Sequence, residues 1–192
     1  MRMTYHFAVF TLTHTPVVSS SQNVICYFSN WANHRSGDGH FVPENLDASL
    51  CSHVFYAYAS LDPESFEVVP SSKRIDIDSG YYNRVQGTAR RQNPAVQVFV
   101  SIGGWTDSAG DTYSQLVSSP DKIKIFSREA AKFVEERGFD GLSVEWQYPV
   151  CWQSDCNAGR KTDRLDSHQT CTPEGVTCSI TQTFFAGMDS QN

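Results

Sequence analysis

The chain has 192 residues, a formal net charge of -6, and residues that are 40% hydrophobic and 12% aromatic. That balance suits one folded domain with its own core and is too apolar for a disordered chain. There is no basic face for nucleic-acid phosphates and no apolar run long enough to span a bilayer, so neither partner is expected.

At the N-terminus, Arg2 precedes the apolar patch Phe7-Ala8-Val9-Phe10, and Ser19-Ser20-Ser21 offers small residues near a cleavage site. His6, Thr11, Thr13 and His14 interrupt that patch. Residues 1–22 therefore read either as a weak signal peptide or as a disordered leader.

Four apolar runs then read as strands: Val24 to Ser29, His53 to Leu61, Val96 to Ile102 and Phe139 to Trp146. Near-continuous apolarity suits strands covered on both faces, as in a parallel sheet. The segment from Ser71 to Gln92 is a helix candidate closed by Asn93-Pro94. A stronger helix follows. Ser119 caps it, Pro120 fits its first position, and Ile123, Phe126, Ala130, Phe133 and Val134 recur at spacings of three and four. Gly138 ends it. Strand starts lie about 30 to 45 residues apart, the spacing of βα units in an α/β fold with a parallel sheet. No Gly-x-Gly-x-x-Gly follows the first strand, which disfavours a dinucleotide site.

Past Cys156 the pattern stops. Residues 157–192 are polar and show no period. The six cysteines, Cys26, Cys51, Cys151, Cys156, Cys171 and Cys178, fit an oxidising compartment and allow fifteen pairings. Their spacing lacks the paired Cys-x-x-Cys of a zinc ribbon, so no metal is expected.

The candidate chemistry lies at strand C-termini. On the fourth strand, Leu142, Val144 and Trp146 face one way, and Ser143, Glu145 and Gln147 the other. In a barrel the second set points inward and rises toward the mouth where active sites sit; in an antiparallel sheet it is only a half-exposed face. The third strand ends in Ser101-Ile102-Gly103-Gly104-Trp105, read as a sharp glycine turn followed by an aromatic. By itself this reads as a glycine turn with a core Trp; aromatics at several strand ends also suit sugar rings, whose C–H faces are apolar.

These residues together resemble the N-terminal half of glycoside hydrolase family 18, the chitinases and chitinase-like proteins. The resemblance rests on Cys26-Tyr27-Phe28-Ser29-Asn30-Trp31, Pro43-Glu44-Asn45-Leu46-Asp47, Leu50 to Tyr58, Ser101 to Trp105, and Phe139 to Pro149. It covers about residues 24–156 and looks most like arthropod members. It implies a (β/α)8 TIM-barrel fold of which only about the first four βα units are present, since a closed barrel takes about 250 residues. The domain so implied spans residues 23–156, followed by a polar tail without clear structure.

The resemblance also implies chitin or chitooligosaccharides as partner, no cofactor, secretion, and disulfides Cys26–Cys51 and Cys151–Cys156. The sugar-contacting candidates it implies are Tyr27, Trp31, Gly103, Gly104, Trp105 and Tyr148. The family's acid motif, Asp-x-x-Asp-x-Asp-x-Glu, reads here as Asp140, Ser143, Glu145 and Gln147. In the family the final Glu protonates the glycosidic oxygen, while the substrate's own acetamide attacks the anomeric carbon. A glutamine amide has no such proton to give. Its absence typically removes about 10² to 10⁴ in rate. The expected protein is a chitin binder that does not hydrolyse. The alternatives are an active chitinase using a displaced acid such as Glu145, and a truncated product without function.

Overall fold

A computed structural model describes residues 23–149 and the backbone of a strand at Ile180–Phe184. Its frame is one sheet. Strands β1 (Ile25–Ser29), β2 (His53–Leu61), β4 (Gln97–Gly103) and β5 (Gly141–Trp146) lie side by side and parallel. Strand β3 (Val68–Pro70) pairs antiparallel with the end of β2, and β6 (Ile180–Phe184) pairs antiparallel with β5. The sheet runs β1-β2-β4-β5-β6 and does not close among the described residues, as an incomplete (β/α) barrel requires.

The helices cover one face. α1 (Tyr81–Gln92) and α4 (Pro120–Arg137) are the long ones; α2 (Gly104–Asp107) and α3 (Thr112–Val117) are short. The Oγ of Ser119 accepts from Lys122 N, and Pro120 and Asp121 open α4. Gly138 closes it, donating its N–H to Val134 and Glu135. Ala130, Phe133 and Val134 are buried, whereas Ile123, read from the sequence as part of the apolar face, is exposed. It sits in the first turn, beyond the reach of the sheet.

The helix candidate Ser71–Gln92 resolves into two pieces. Ser72 caps a π-helical turn at Lys73–Asp78, and Gly80, at φ 68°, breaks the chain before α1. The tail after 156 contains a strand that the sequence reading did not foresee. Ile180 to Phe184 reads Ile-Thr-Gln-Thr-Phe, whose β-branched and aromatic residues suit a strand paired with β5 but form too short a run to stand out in a polar stretch.

The sheet separates two environments. Toward the helices, Phe28, Val54, Tyr56, Val98, Val100, Ile102, Leu142 and Trp146 join α1 and α4 in one core. On the other face, register places Tyr27 beside Phe55, Phe55 beside Phe99, and Ser101 beside Ser143. Rings of Tyr27, Phe55 and Phe99 pack at centroid distances of 5.4 and 5.3 Å, forming an aromatic floor. A step higher come the hydroxyls of Ser101 and Ser143, then Gly103 and Glu145. This layering by alternation is that of a barrel interior.

The Cys26–Cys51 disulfide is formed, with Cα atoms 5.9 Å apart. It closes a loop of sequence separation 25, which removes chain entropy worth about 3 kcal/mol from the unfolded state. Cys151, Cys156, Cys171 and Cys178 lie outside the described residues.

Candidate sugar-binding cleft

A cleft of about 550 Å³ opens at the C-terminal ends of β1, β2 and β4. Asn30, Trp31, Tyr58, Gly103, Trp105 and Asp107 are among its lining residues. Each arrives by a local feature. β1 runs directly into a 3-10 turn, Asn30–His34, that carries Trp31 outward. The β2–β4 register shifts between Ala57 and Ala59, and Tyr58 sits at that break. Its ring stacks on Trp31, with centroids 5.8 Å apart and planes 11° apart.

The two glycines explain themselves by what a Cβ would meet. At Gly103, φ is 100° and a Cβ would lie 2.4 Å from the Glu145 carbonyl oxygen. At Gly104, φ is 71° and a Cβ would lie 2.8 Å from the Tyr58 ring. At Gly103 only glycine allows both the backbone conformation and the approach; at Gly104 a larger residue would have to displace the Tyr58 ring. The turn then starts α2, which presents Trp105 to solvent at 55% exposure, against 44% for Trp31. Both indoles thus offer apolar faces of the kind that pyranose rings stack on.

Three carboxylates surround this cleft, and they are not alike. Asp76, 1% exposed, accepts from Tyr56 Oη (2.5 Å), Asn30 Nδ2 (2.9 Å) and Ser72 N (2.8 Å). Asp107 accepts from Tyr113 Oη (2.6 Å), Leu61 N (3.2 Å) and Gly103 N (3.2 Å), tying α2 to two strands. Burial pushes the Asp107 carboxyl above its ordinary 3.8, against those donors. Glu145 accepts at Oε2 from Tyr58 Oη at 2.8 Å. Its Oε1 is buried and has no hydrogen-bond partner among the described residues. Tyr27 approaches the same carboxylate. Burial, first, and then the Glu145 charge push the Tyr27 phenol above 10.0. Burial and the same carboxylate do likewise to Tyr58.

The acid-motif positions separate in space. Ser143 is fully buried on the cleft-side face and its hydroxyl is unpartnered among the described residues, as is that of Ser101 beside it. Gln147 and Tyr148 follow directly on the C-terminal end of β5, and both are half-buried. The Gln147 N–H donates to Ser108 Oγ at 3.0 Å, and the Gln147–Tyr148 peptide is cis. Asp140 lies at the opposite end of the sheet from the cleft. It accepts from Val98 N at 2.7 Å and pairs with Arg90 at 2.9 Å, so it joins strands at the floor.

Of the sugar-contacting candidates, Trp31, Gly103 and Trp105 line the cleft, Gly104 shapes it, and Tyr27 stands below Glu145. Asn30, Tyr58 and Asp107 were not singled out from the sequence. Their signal was adjacency: Asn30 precedes Trp31, Asp107 follows Trp105 by two, and Tyr58 ends an aromatic run.

A sequence profile described as Glycosyl hydrolases family 18 matches residues 23–167. "Probable chitinase 10" of Drosophila melanogaster is 45% identical over 144 residues, covering 75% of this chain and 6% of that protein. "Endochitinase" of Manduca sexta is 30% identical, covering 74% of this chain and 25% of its own length. Catalytic domain 2 of the Group II chitinase of Ostrinia furnacalis, solved with a penta-N-acetylchitooctaose ligand, (NAG)5, superposes at TM-score 0.69 with 38% identity. That match covers 73% of this chain and 36% of that one. Human YKL-39, described as a pseudo-chitinase with retained chitooligosaccharide binding, superposes at 0.56 with 32% identity, over 65% of this chain and 32% of its own. The chain thus spans about a third or less of the relatives it matches. Sheet order, layered interior and profile match agree, and the chain belongs to glycosyl hydrolase family 18.

Proposed function

We propose that this chain binds chitin or N-acetylglucosamine oligosaccharides without hydrolysing them. The observation that carries this reading is Gln147 at the family's proton-donor position, beside a cleft that keeps Trp31 stacked on Tyr58 and Trp105 exposed. An amide in that place hydrogen-bonds but delivers no proton. The aromatic surfaces depend on no titrating group. YKL-39, a relative described as a pseudo-chitinase that still binds chitooligosaccharides, supports the separation of the two properties. The Cys26–Cys51 disulfide supports an oxidising, extracellular setting.

Retention on insoluble chitin tests the reading. The protein is expected to be retained, and Trp31→Ala and Trp105→Ala are expected to weaken retention. No retention, or retention indifferent to both substitutions, overturns it.

A second reading is favoured by one feature, the unpartnered Oε1 of Glu145. In it Glu145 serves as the acid and the protein turns over. Its carboxyl sits one inward step below position 147 and is held by Tyr58. Turnover of a fluorogenic chitobioside, with an active family member alongside, separates the two readings.

A further inference from the structure

The charged groups around the cleft are one-sided. None of its lining residues is Lys, Arg or His, and Asp107 is among them. Asp76 and Asp107 each receive three or more donors, so neither has much to offer a ligand. Glu145 differs. Tyr58 donates to Oε2, Tyr27 approaches the same carboxylate, and Oε1 is buried with no hydrogen-bond partner among the described residues. The next residue along that face, Ser143, and its neighbour Ser101 are fully buried with unpartnered hydroxyls. The serine hydroxyls can donate or accept, but they are neutral, and the lining of the cleft brings no positive charge to offset the carboxylate. A buried carboxylate oxygen without a donor is costly, so a ligand that supplies one gains more than it would in water.

The two forms of the sugar differ in what they supply. An N-acetylated unit brings one neutral amide N–H. A deacetylated unit brings an ammonium with three donors and a charge. The exposed indole faces of Trp31 and Trp105 also attract a cation through their ring quadrupoles. Ser143, where the family has an acid, leaves Glu145 as the carboxylate of this column, with no second anion to share its charge.

Resting on the sugar-binding reading above, we infer that the cleft prefers partly deacetylated chitin, with the ammonium of a glucosamine unit meeting Glu145. Charge-assisted hydrogen bonds are roughly twice as strong as neutral ones, which sets the expected preference at about tenfold.

Isothermal titration of the full chain with the glucosamine pentamer and with the N-acetylglucosamine pentamer, at mildly acidic pH where the sugar amines are charged, tests this. The expected result is tighter binding of the glucosamine pentamer by about tenfold, a ratio that Glu145→Gln brings close to one. Glu44→Gln, at an exposed ion pair with Arg84, controls for the net negative charge and is expected to keep the ratio. Should Glu145→Gln not fold, as judged by circular dichroism, Glu145→Asp replaces it, and a several-fold smaller ratio is expected. Equal affinities, or a ratio lowered as much by Glu44→Gln, overturn the inference while binding of the acetylated pentamer leaves the proposed function standing. Binding of neither pentamer overturns both.

Discussion

The Tyr58 hydroxyl donates to Glu145 Oε2 across 2.8 Å, joining residues 87 apart in sequence. The same ring lies against Trp31 on its other side. One tyrosine therefore braces the sugar-facing wall against the central carboxylate. Tyr58→Phe keeps the stack and removes the donor. It removes the donor to Glu145 Oε2 and leaves Tyr27 as the remaining phenol near this carboxylate. Stability in urea is expected to fall by about 1 to 3 kcal/mol, the usual cost of an unsatisfied buried acceptor. An unchanged midpoint would mean that solvent already serves this carboxylate.

Gln147→Glu is expected not to restore chitobioside hydrolysis. The lesion is wider than one side chain. Ser143 supplies a hydroxyl in place of a carboxylate, and Glu145 is held by Tyr58. Position 147 also lies past the end of β5, where no strand pairing among the described residues holds it. Measurable turnover by the variant, over the parent chain, would show that one acid suffices.

The two glycines of the β4 turn are expected to respond differently to alanine. At Gly103 the added Cβ meets the Glu145 backbone, which cannot step aside. A backbone conformation that alanine resists adds about 1 kcal/mol or more, so Gly103→Ala is expected to lose several kcal/mol or fail to fold. At Gly104 the Cβ meets the Tyr58 ring. That ring is a side chain and can shift where backbone cannot, at the expense of its Trp31 stack and Glu145 bond, so Gly104→Ala is expected to fold with a smaller loss of stability and to bind chitin less well. Urea midpoints and chitin retention, measured on both variants, distinguish the cases; the reverse ranking would contradict the geometry.

Asp107 gives stability a pH dependence whose sign follows from burial. Its folded pKa is raised above 3.8, so the folded chain binds this proton more tightly than the unfolded chain. The stability it contributes is present in full below 3.8 and is lost as pH rises through the raised value. Asp107→Asn keeps an acceptor for Tyr113 and removes the titration. The difference in urea stability between parent and variant is expected to shift in the variant's favour as pH rises through that window. A difference independent of pH would mean that Asp107 titrates alike in both states.

The parts of the fold that could be read from the sequence were those with long uninterrupted signals. β1, β2, β4 and β5 are runs of apolar residues, and α4 carries both caps and a period. β3 and β6 were not readable, because three or five residues between polar neighbours carry no pattern. α2 and α3 are too short to show a helical face. In the site, Trp31, Gly103 and Trp105 announce themselves at strand ends. Tyr58 does not, since its position depends on the register break at Ala57 and on a partner far along the chain. Asp107 works through backbone amides of Leu61 and Gly103, which no side-chain pattern reveals.

The floor contact of Asp140 has a consequence for how such chains are sorted. The first acid of the motif bonds a neighbouring strand's amide and an arginine, at the end of the sheet away from any sugar. A screen that counts surviving motif acids would score it as a relic of hydrolysis. It is better counted as a rivet, whose retention reports on whether the sheet must hold together and says nothing of whether the protein ever turned over a substrate.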